Sequence, residues 1–294
     1  MDSTLYHGEQ FFLSADFPLQ VIDIKQNYED PHYHDFYELV IILNGSGKHV
    51  TEKLTYPVSI GDVFVIKPMV RHYYSKAVNL HLINILFRPE ILAVPQWDIH
   101  NVPGYYVLFE AEPELRQKGE FKSRLTLNLD QLNIVNTIVS KLDNEIQHNN
   151  SGFQFMSIAY LMELMGYLSR CYTTEDNKFS RKLLRVSSMM NFIARNFHRK
   201  LSFEEIAAAG HMSLRSASRA FQDALKMTPV DYLIKIRIEH AAKLLKEQNL
   251  PISATAGQCG FSDSNYFSKQ FRKSYGQSPR AYKKMFETFQ SGQK

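Results

Sequence analysis

The sequence predicts an α+β fold, with an N-terminal β-barrel, a helical segment and an all-α C-terminal domain. Residues 1–110 contain short strands separated by turns, whereas the residues after about 128 have helical periodicity. The C-terminal third also repeats itself at a period of about fifty, which marks a structural unit used twice. Four pairs of residues carry the repeat: Gly210 and Gly260, Phe221 and Phe271, Pro229 and Pro279, Tyr232 and Tyr282.

The strand pattern is clearest in residues 37–43, an apolar run that ends at the turn signal 44–47. A returning strand should then be interrupted at Pro57, because proline cannot donate to a sheet ladder. Two further strands are predicted at 62–66 and 81–87. Several short strands punctuated by turns favour a sandwich or a barrel.

Apolar residues at three- and four-residue spacing predict one helix over 129–146 and a second over 153–170. The first stripe is wide enough for a dimer seam, although packing against its own barrel would use the same residues. A polar stretch without periodicity follows the second helix and predicts a linker. We therefore expect domains at 1–172 and 183–294, joined by a linker at 173–182.

Charge and composition restrict the class of protein. Residues 181–294 hold 20 Lys and Arg against 8 Asp and Glu, a net +12, and residues 1–180 carry a net −8. The split favours one half that meets a polyanion, although chance asymmetry would also produce it. The sequence shows no membrane-length apolar run, no signal-peptide features and two cysteines. We expect a cytoplasmic protein with no membrane partner.

The first repeat has the features of a DNA recognition helix. Ser213 is placed to cap a helix over 214–225. Arg215, Ser218 and Arg219 share one face of that helix, while apolar residues share the other. A helix in the major groove needs this division, because one side reads base edges and the other is anchored in a core. For any single residue, the solvated face of an ordinary helix explains the same pattern.

The second repeat makes that interpretation stronger. Ser262 or Asp263 is placed to cap a helix whose outward face carries Ser264, Asn265 and Lys269. An asparagine pairs with two atoms of adenine, and Lys269 falls where the first repeat has its second arginine. Two such helices, one in each repeat, are predicted to read DNA.

The elements between the recognition helices are also predicted. Ser202 and Glu205 form a capping-box pattern at the start of a helix. Pro229 opens a helix that continues past Leu245. At 1.5 Å per residue, that helix would be a strut of roughly 27 Å. It could hold two recognition helices near the spacing of successive major grooves, about 34 Å.

Residues 260–271 and 276–282 resemble the signature of the AraC family of bacterial transcription regulators, and the resemblance covers 186–285. It implies a tandem helix-turn-helix that spans two adjacent major grooves. One departure is the triplet around Thr255, where the family usually has Glu-Ile-Ala, so this unit could pack less tightly. The family positions that contact DNA match Arg215, Ser218, Arg219, Ser264, Asn265 and Lys269.

The N-terminal half matches the HxH-x3-E-x6-G pattern of the cupin barrel at His32, His34 and Glu38, and His72 keeps the spacing of the second cupin motif. The resemblance implies a cupin-type β-barrel with a ligand pocket. In metal-binding cupins these four positions coordinate a divalent metal. The second motif departs from the pattern, with Lys67 where proline is usual. We therefore expect a polar pocket without a cofactor, and keep the metal site as the alternative.

Four segments within residues 8–100, namely 11–12, 34–41, 47–50 and 84–88, are similar to the sensor domains of the rhamnose-responsive regulators of the AraC family. The similarity implies a sugar-sized, hydroxyl-rich effector, for which aromatic and polar side chains are both needed. Single tyrosines would equally well fill the barrel. The predicted effector-binding residues are His32, His34, Tyr37, Glu38, Arg71, His72 and Tyr74.

These observations predict a ligand-responsive transcription regulator that is not an enzyme, more specifically an activator of a carbohydrate uptake or catabolism operon. The expected partners are promoter DNA, a small sugar, a second copy of the chain and RNA polymerase. Two alternatives stay open: a metal-dependent cupin enzyme fused to a DNA-binding domain, and a constitutive DNA-binding regulator with a vestigial barrel. The effector, the operator and the direction of regulation are not specified by the sequence.

Overall fold

The protein is described by a computed structural model that covers residues 4–26, 30–92, 99, 102–119, 124–173, 178–247 and 250–291. The chain divides into two compact units, Met1–Leu184 and Arg185–Lys294. Residues 174–177 of the expected linker lie outside the described residues, and a helix occupies 178–182. The domain boundaries at 172 and 183 stay predictions. Among the described residues, no helix is both long and apolar enough to cross a bilayer.

The first unit is built on one eight-stranded sheet, with the order β1-β3-β7-β4-β6-β8, β2 beside β7 and β5 beside β4. The sheet is not closed, so the sequence prediction of a closed barrel is corrected to an open sheet. Its outer strands β1 and β8 have three residues and two residues and offer few ladder bonds. The strands are β1 (Thr4–Tyr6), β2 (Leu19–Gln26), β3 (His32–His34), β4 (Tyr37–Thr51), β5 (Thr55–Ser59), β6 (Asp62–Ile66), β7 (His72–Phe87) and β8 (Leu125–Thr126).

The turn expected at 44–47 is a set of bulges within one long strand. β4 continues through it to Thr51 and pairs with β7 along most of its length, with register shifts around Asn44 and Ser46. Gly45 has φ +75°, and a Cβ at this position would lie 2.2 Å from the carbonyl oxygen of Asn79. The positive φ therefore absorbs an extra residue instead of reversing the chain.

Pro57 lies inside a strand, contrary to the sequence prediction. It belongs to β5, which pairs with β4 alone among the described strands. On such an edge strand the missing N–H can face away from the ladder without a lost hydrogen bond.

Two long helices, α4 (Leu129–His148) and α5 (Phe153–Thr173), follow the strands in the chain, and both were predicted. The apolar stripe of α4 packs against α5 and β2, so the stripe has a partner within its own chain. Its buried members are Leu132, Val135, Ile138, Val139, Leu142 and Ile146. The helices of this unit are α1 (Pro89–Leu92), α2 (Pro103–Tyr106), α3 (Glu112–Gln117), α4 (Leu129–His148) and α5 (Phe153–Thr173), with a π-helical turn over Val107–Ala111.

The second unit is all-α in the described residues, as the periodicity predicted. Phe221 in the first repeat and Phe267 and Phe271 in the second are fully buried. The strut α9 packs against helices of both repeats. The first helix of this unit, α6 (Lys178–Asn196), begins before the boundary at 184, and the others are α7 (Phe203–Ala209), α8 (Leu214–Leu225), α9 (Pro229–Glu247), α10 (Ile252–Gln258), α11 (Ser264–Tyr275) and α12 (Pro279–Ser291).

Candidate DNA interface and effector site

The first candidate recognition helix is α8. Ser213 caps it by accepting a hydrogen bond from the backbone N–H of Ser216, and the residues that anchor the helix in the core include Ala217. Arg215 and Arg219 are exposed on the other side, and the intervening Ser218 is half-buried. Leu214, expected to pack inward, is 41% exposed. It occupies the first turn of the helix, where little of the core reaches it.

The second candidate recognition helix is α11, and Asp263 rather than Ser262 caps it. The Asp263 carboxylate accepts hydrogen bonds from the backbone N–H groups of Asn265 and Tyr266. Ser264, Asn265 and Lys269 are all exposed. The side chains predicted to read DNA in this repeat therefore lie on the solvent side of a helix with a buried aromatic face.

Thr255, the departure from the family triplet, is fully buried in the first helix of the second repeat. Its hydroxyl donates to the carbonyl oxygen of Pro251 at 3.2 Å. The hydrogen bond satisfies the polar atom that replaces an apolar branch, so the substitution is accommodated without an unpaired hydroxyl.

Sequence reasoning missed Arg237 on the strut α9. Its guanidinium donates to the carbonyl oxygens of Phe197 and Arg199, both at 2.8 Å, and lies 5.6 Å from the centre of the Phe261 ring. Gly260, before that ring, has φ +78° and leaves no room for a Cβ beside Phe197 and Arg237. Arg237 thereby ties the end of α6 to the turn of the second repeat. Its position on an otherwise ordinary helix gave no local signal.

In the first unit, three buried side chains converge: His34, Glu38 and His72. The Nε2 atoms of His34 and His72 lie 3.0 Å and 3.5 Å from Glu38 Oε2. The ring of His32 packs at 4.3 Å from that of His72, measured between centroids. The residues of the two cupin-like motifs are therefore brought together as the spacing predicted.

The hydrogen bonds of these imidazoles fix their tautomer. Nδ1 of His34 lies 2.6 Å from the carbonyl oxygen of Phe36, and Nδ1 of His72 lies 3.0 Å from that of Val70. A carbonyl oxygen only accepts, so each Nδ1 donates. In the neutral imidazole the Nε2 lone pair then faces the carboxylate, and a proton or a metal ion between them removes the repulsion. The donor set of His34, Glu38 and His72 fits a divalent metal as well.

Charge on the cluster is set by burial and by the neighbouring groups. Burial alone would raise the pKa of Glu38, but His34 and His72 outweigh it and hold that pKa below its usual value. Burial, and then the nearby His72, lower the pKa of His32 to about 4. Burial lowers the pKa of His49 well below its usual value. The Glu38 carboxylate therefore stays ionised, and two further imidazoles near it, His32 and His49, resist protonation.

The other predicted effector residues are not all part of this cluster. Tyr37 is half-buried and stacks on Phe87 at 5.6 Å between ring centroids. Tyr74 is 1% exposed and belongs to the apolar core of the sheet. Arg71 lines a separate cavity of about 200 Å³. The effector role of these seven residues stays a prediction.

Three polar residues near the cluster were missed by sequence reasoning. His49 and Tyr56 are buried, and Nδ1 of His49 lies 2.7 Å from the Tyr56 hydroxyl. Arg116 is buried beside them, forms an ion pair with Glu112 and donates to the carbonyl oxygen of Val65. His49 lies on the strand predicted to end at Pro57, and Arg116 is brought in by a short helix that the pattern did not reveal.

A sheet domain with a buried polar cluster, joined to a paired helix-turn-helix with exposed polar faces on α8 and α11, defines a ligand-responsive DNA-binding regulator. A family model described as an AraC-like ligand binding domain matches residues 19–165, and one described as a helix-turn-helix domain matches residues 206–285. The chain belongs to the AraC family of transcription regulators.

Curated relatives cover almost the whole chain. It is 27% identical to the HTH-type transcriptional activator RhaR of Mannheimia succiniciproducens, over 94% of this chain and 95% of that protein. It is 28% identical to the activator RhaS of Enterobacter sp., over 94% and 96%. The DNA-binding domain of AdpA, a global transcriptional factor solved with a target DNA, is 27% identical, covers 35% of this chain and 94% of its own, and gives a TM-score of 0.34. The relatives are regulators and not enzymes, and the family resemblance seen in the sequence is confirmed.

Proposed function

We propose that this protein is a sugar-responsive activator of a carbohydrate uptake or catabolism operon and acts in the cytoplasm. The observation that carries the proposal is the pair of exposed reading faces on α8 and α11, one in each repeat of a basic unit. The names of the RhaR and RhaS relatives support activation as the direction of regulation. Binding of a ligand to the first unit would shift the DNA-binding unit between two conformations. The size of that shift is set by the difference between the ligand's affinities for the two conformations.

The DNA contacts are tested by truncating one cation on each face. Arg219→Ala and Lys269→Ala should each weaken binding of the full chain to the promoter at fixed salt by about tenfold, because each removes a contact to a base edge or a phosphate. Lys235→Ala is the matched control, since Lys235 is exposed on the strut and pairs with Glu239 at 3.8 Å. Unchanged promoter affinity in both test variants would refute the assigned reading faces.

The effector is tested without knowledge of the promoter. A ligand that binds only the native state raises the melting temperature by mass action. A thermal-shift screen of monosaccharides, beginning with the deoxyhexose L-rhamnose, should therefore identify a stabilising sugar. If none of the sugars or related small metabolites shifts the transition, the constitutive regulator with a vestigial sensor becomes the better account.

Homodimer formation and contact with RNA polymerase are part of the proposal. The face of α4 that the described residues leave exposed includes Ile134, which is 45% exposed. A seam there would place four helix-turn-helix units on a pair of half-sites. Light scattering of wild type and Ile134→Glu tests this: the substitution should shift a dimer towards the monomer mass. A monomer in both samples would remove the dimer from the proposal.

A divalent metal at His34, Glu38 and His72 is the second candidate, because the tautomers direct Nε2 of both histidines at the same carboxylate oxygen. A bound metal would hold the three side chains in one arrangement and could give a bound ligand a Lewis-acidic partner. Elemental analysis of the purified full chain decides the matter. A stoichiometric metal that is lost in His34→Ala would establish the site, and its absence from the wild-type protein after metal loading would exclude it.

A further inference from the structure

A cavity of about 200 Å³ opens beside the buried cluster. It lies between the end of β4, the segment before β7 and the helix α3, and it shares four lining residues with a smaller inner space bounded by His49 and Tyr56. It is smaller than the roughly 300–1,000 Å³ of a drug-sized site, which limits its occupant to about one sugar ring. Its lining residues are Thr51, Glu52, Lys53, Met69, Val70, Arg71, Arg116 and Gln117.

The lining carries more positive than negative charge. Lys53, Arg71 and Arg116 face the cavity against one acid, Glu52. Behind the wall, Glu112 offsets one of these cations through its ion pair with Arg116. Among the described lining residues, cations therefore outnumber acids by three to one. Such a lining favours an anionic ligand over a neutral one.

The innermost cation is held in place before any ligand arrives. One terminal nitrogen of Arg116 lies 3.4 Å from a Glu112 oxygen, the other donates to the carbonyl oxygen of Val65 at 3.2 Å, and the guanidinium lies 5.8 Å from the centre of the Phe64 ring. These two contacts engage two of its five N–H donors. A planar guanidinium fixed in this way suits a carboxylate, which it binds with two parallel hydrogen bonds.

Neutral hydrogen-bonding groups complete the lining. The Gln117 amide both donates and accepts, and the Thr51 hydroxyl, which already donates to the carbonyl oxygen of Leu54 and accepts from its N–H, keeps one acceptor site for a sugar hydroxyl. Val70 supplies an apolar wall. The combination suits a small hydroxylated molecule that also bears one acidic group.

We propose that this cavity is the effector site and that it takes an acidic monosaccharide, a uronate or aldonate, in preference to a neutral sugar. The inference rests on the proposed function, because it specifies the effector of the same regulator. Arg71 and Arg116 bind the carboxylate, and Thr51 and Gln117 bind the ring hydroxyls.

Calorimetry on the full chain tests the charge preference. The titrants are D-glucuronate, D-galacturonate and D-gluconate, with D-glucose, D-galactose and inorganic phosphate at matched ionic strength. At least one of the three acids should bind about tenfold or more tightly than the neutral sugars, because charge-assisted hydrogen bonds are the stronger kind. Equal affinity for neutral sugars, or no binding of any acid, would overturn the proposal. Phosphate binding as tight as the best acid would reassign the cavity to a free anion and overturn it as well.

Arg71→Gln locates the binding. This substitution should weaken binding of the acid by about tenfold and leave the affinity for a neutral sugar unchanged. The glutamine amide still forms hydrogen bonds but carries no charge. Lys25→Gln makes the same charge change at an exposed residue of β2 outside the cavity, and should leave the affinity for the acid unchanged. Equal effects of the two variants would place the acid elsewhere. Operator binding is measured separately, so a protein that binds its operator and only a neutral sugar refutes this inference and leaves the proposed function intact.

Discussion

His32 illustrates how burial sets the chemistry of a single residue. Its ring packs against that of His72, and burial and this neighbour lower its pKa to about 4 from the unfolded value near 6.5. Its Nδ1 lies 3.0 Å from the carbonyl oxygen of Asp30, which fixes the tautomer of the neutral ring. The folded chain therefore keeps this imidazole neutral at a pH at which the unfolded chain protonates it.

The free energy of unfolding should accordingly decrease as the pH is lowered through a defined window. The unfolded state binds the extra proton, so the contribution of His32 is complete above about pH 6.5 and is lost as the pH falls from there towards 4. The slope per proton is at most about 1.4 kcal/mol per pH unit. Urea unfolding of the first unit at a series of pH values, monitored by circular dichroism, measures this dependence.

The matched variant is His32→Gln, which keeps a polar side chain but cannot titrate. Its free energy of unfolding should depend less steeply on pH between about 6.5 and 4 than that of the wild type. His49, whose pKa is also lowered by burial, should keep part of the slope in the variant. Identical slopes in the two proteins would mean that His32 is not held neutral by the fold.

Among the secondary-structure elements, the bulged strand β4 should be locally sensitive to a side chain at Gly45. Gly45→Ala combines a positive φ with a Cβ only 2.2 Å from a backbone oxygen, whereas Gly152→Ala has φ +83° and nothing within 4 Å. Left-handed strain costs an alanine about 1–2 kcal/mol, and overpacking adds about 1–3 kcal/mol. Chemical denaturation should show a clearly larger loss of stability for Gly45→Ala. Equal losses would indicate that the bulge relaxes without cost.

A substitution in the strut α9 should affect how the second recognition helix is held. Arg237→Gln removes the fork that holds the carbonyl oxygens of Phe197 and Arg199. The affinity for a duplex with both half-sites should fall about tenfold, because the second recognition helix is no longer held in position. The affinity for a duplex that carries the first half-site alone should not change.

Two variants separate positioning from general damage. Lys243→Gln alters an exposed cation on the same helix and should leave both affinities unchanged. Arg237→Lys keeps the charge but cannot fork to two oxygens, and should resemble Arg237→Gln. If Arg237→Gln weakened both duplexes equally, Arg237 would be supporting the fold as a whole.

Elements with local signals were predictable, and those that depend on distant partners were not. The capping box of Ser202 and Glu205 and the long amphipathic helices follow from short-range spacing, and the structure confirms them. Gly45 was taken for a reversal because its glycine signal is the same for a turn and a bulge, and only pairing with β7 decides between them. Arg116 and Arg237 act through backbone oxygens 51 and 40 residues away, which no window of sequence reveals.

At the scale of the whole molecule, the division of charge agrees with the division of structure. The basic part of the chain forms the compact unit that carries α8 and α11, and the acidic part forms the sheet domain with its buried polar cluster. A polyanion attracts the first and not the second, so DNA affinity should depend steeply on salt while effector affinity depends on the cavity. Each affinity can thus be measured while the other ligand is absent.

We propose that one chain places two recognition helices in adjacent major grooves on the same side of DNA. The 19 residues of α9 make a strut of about 28 Å between the two repeats, so we expect the protein to set the spacing of the two recognition helices. The most direct measurement is the affinity for a footprinted promoter duplex before and after about 5 base pairs, half a helical turn, are inserted between the half-sites. The insertion should reduce affinity to that of one half-site and abolish the effect of Lys269→Ala. Undiminished affinity, with Lys269→Ala still weakening binding, would show that the two recognition helices do not occupy adjacent grooves at a fixed spacing.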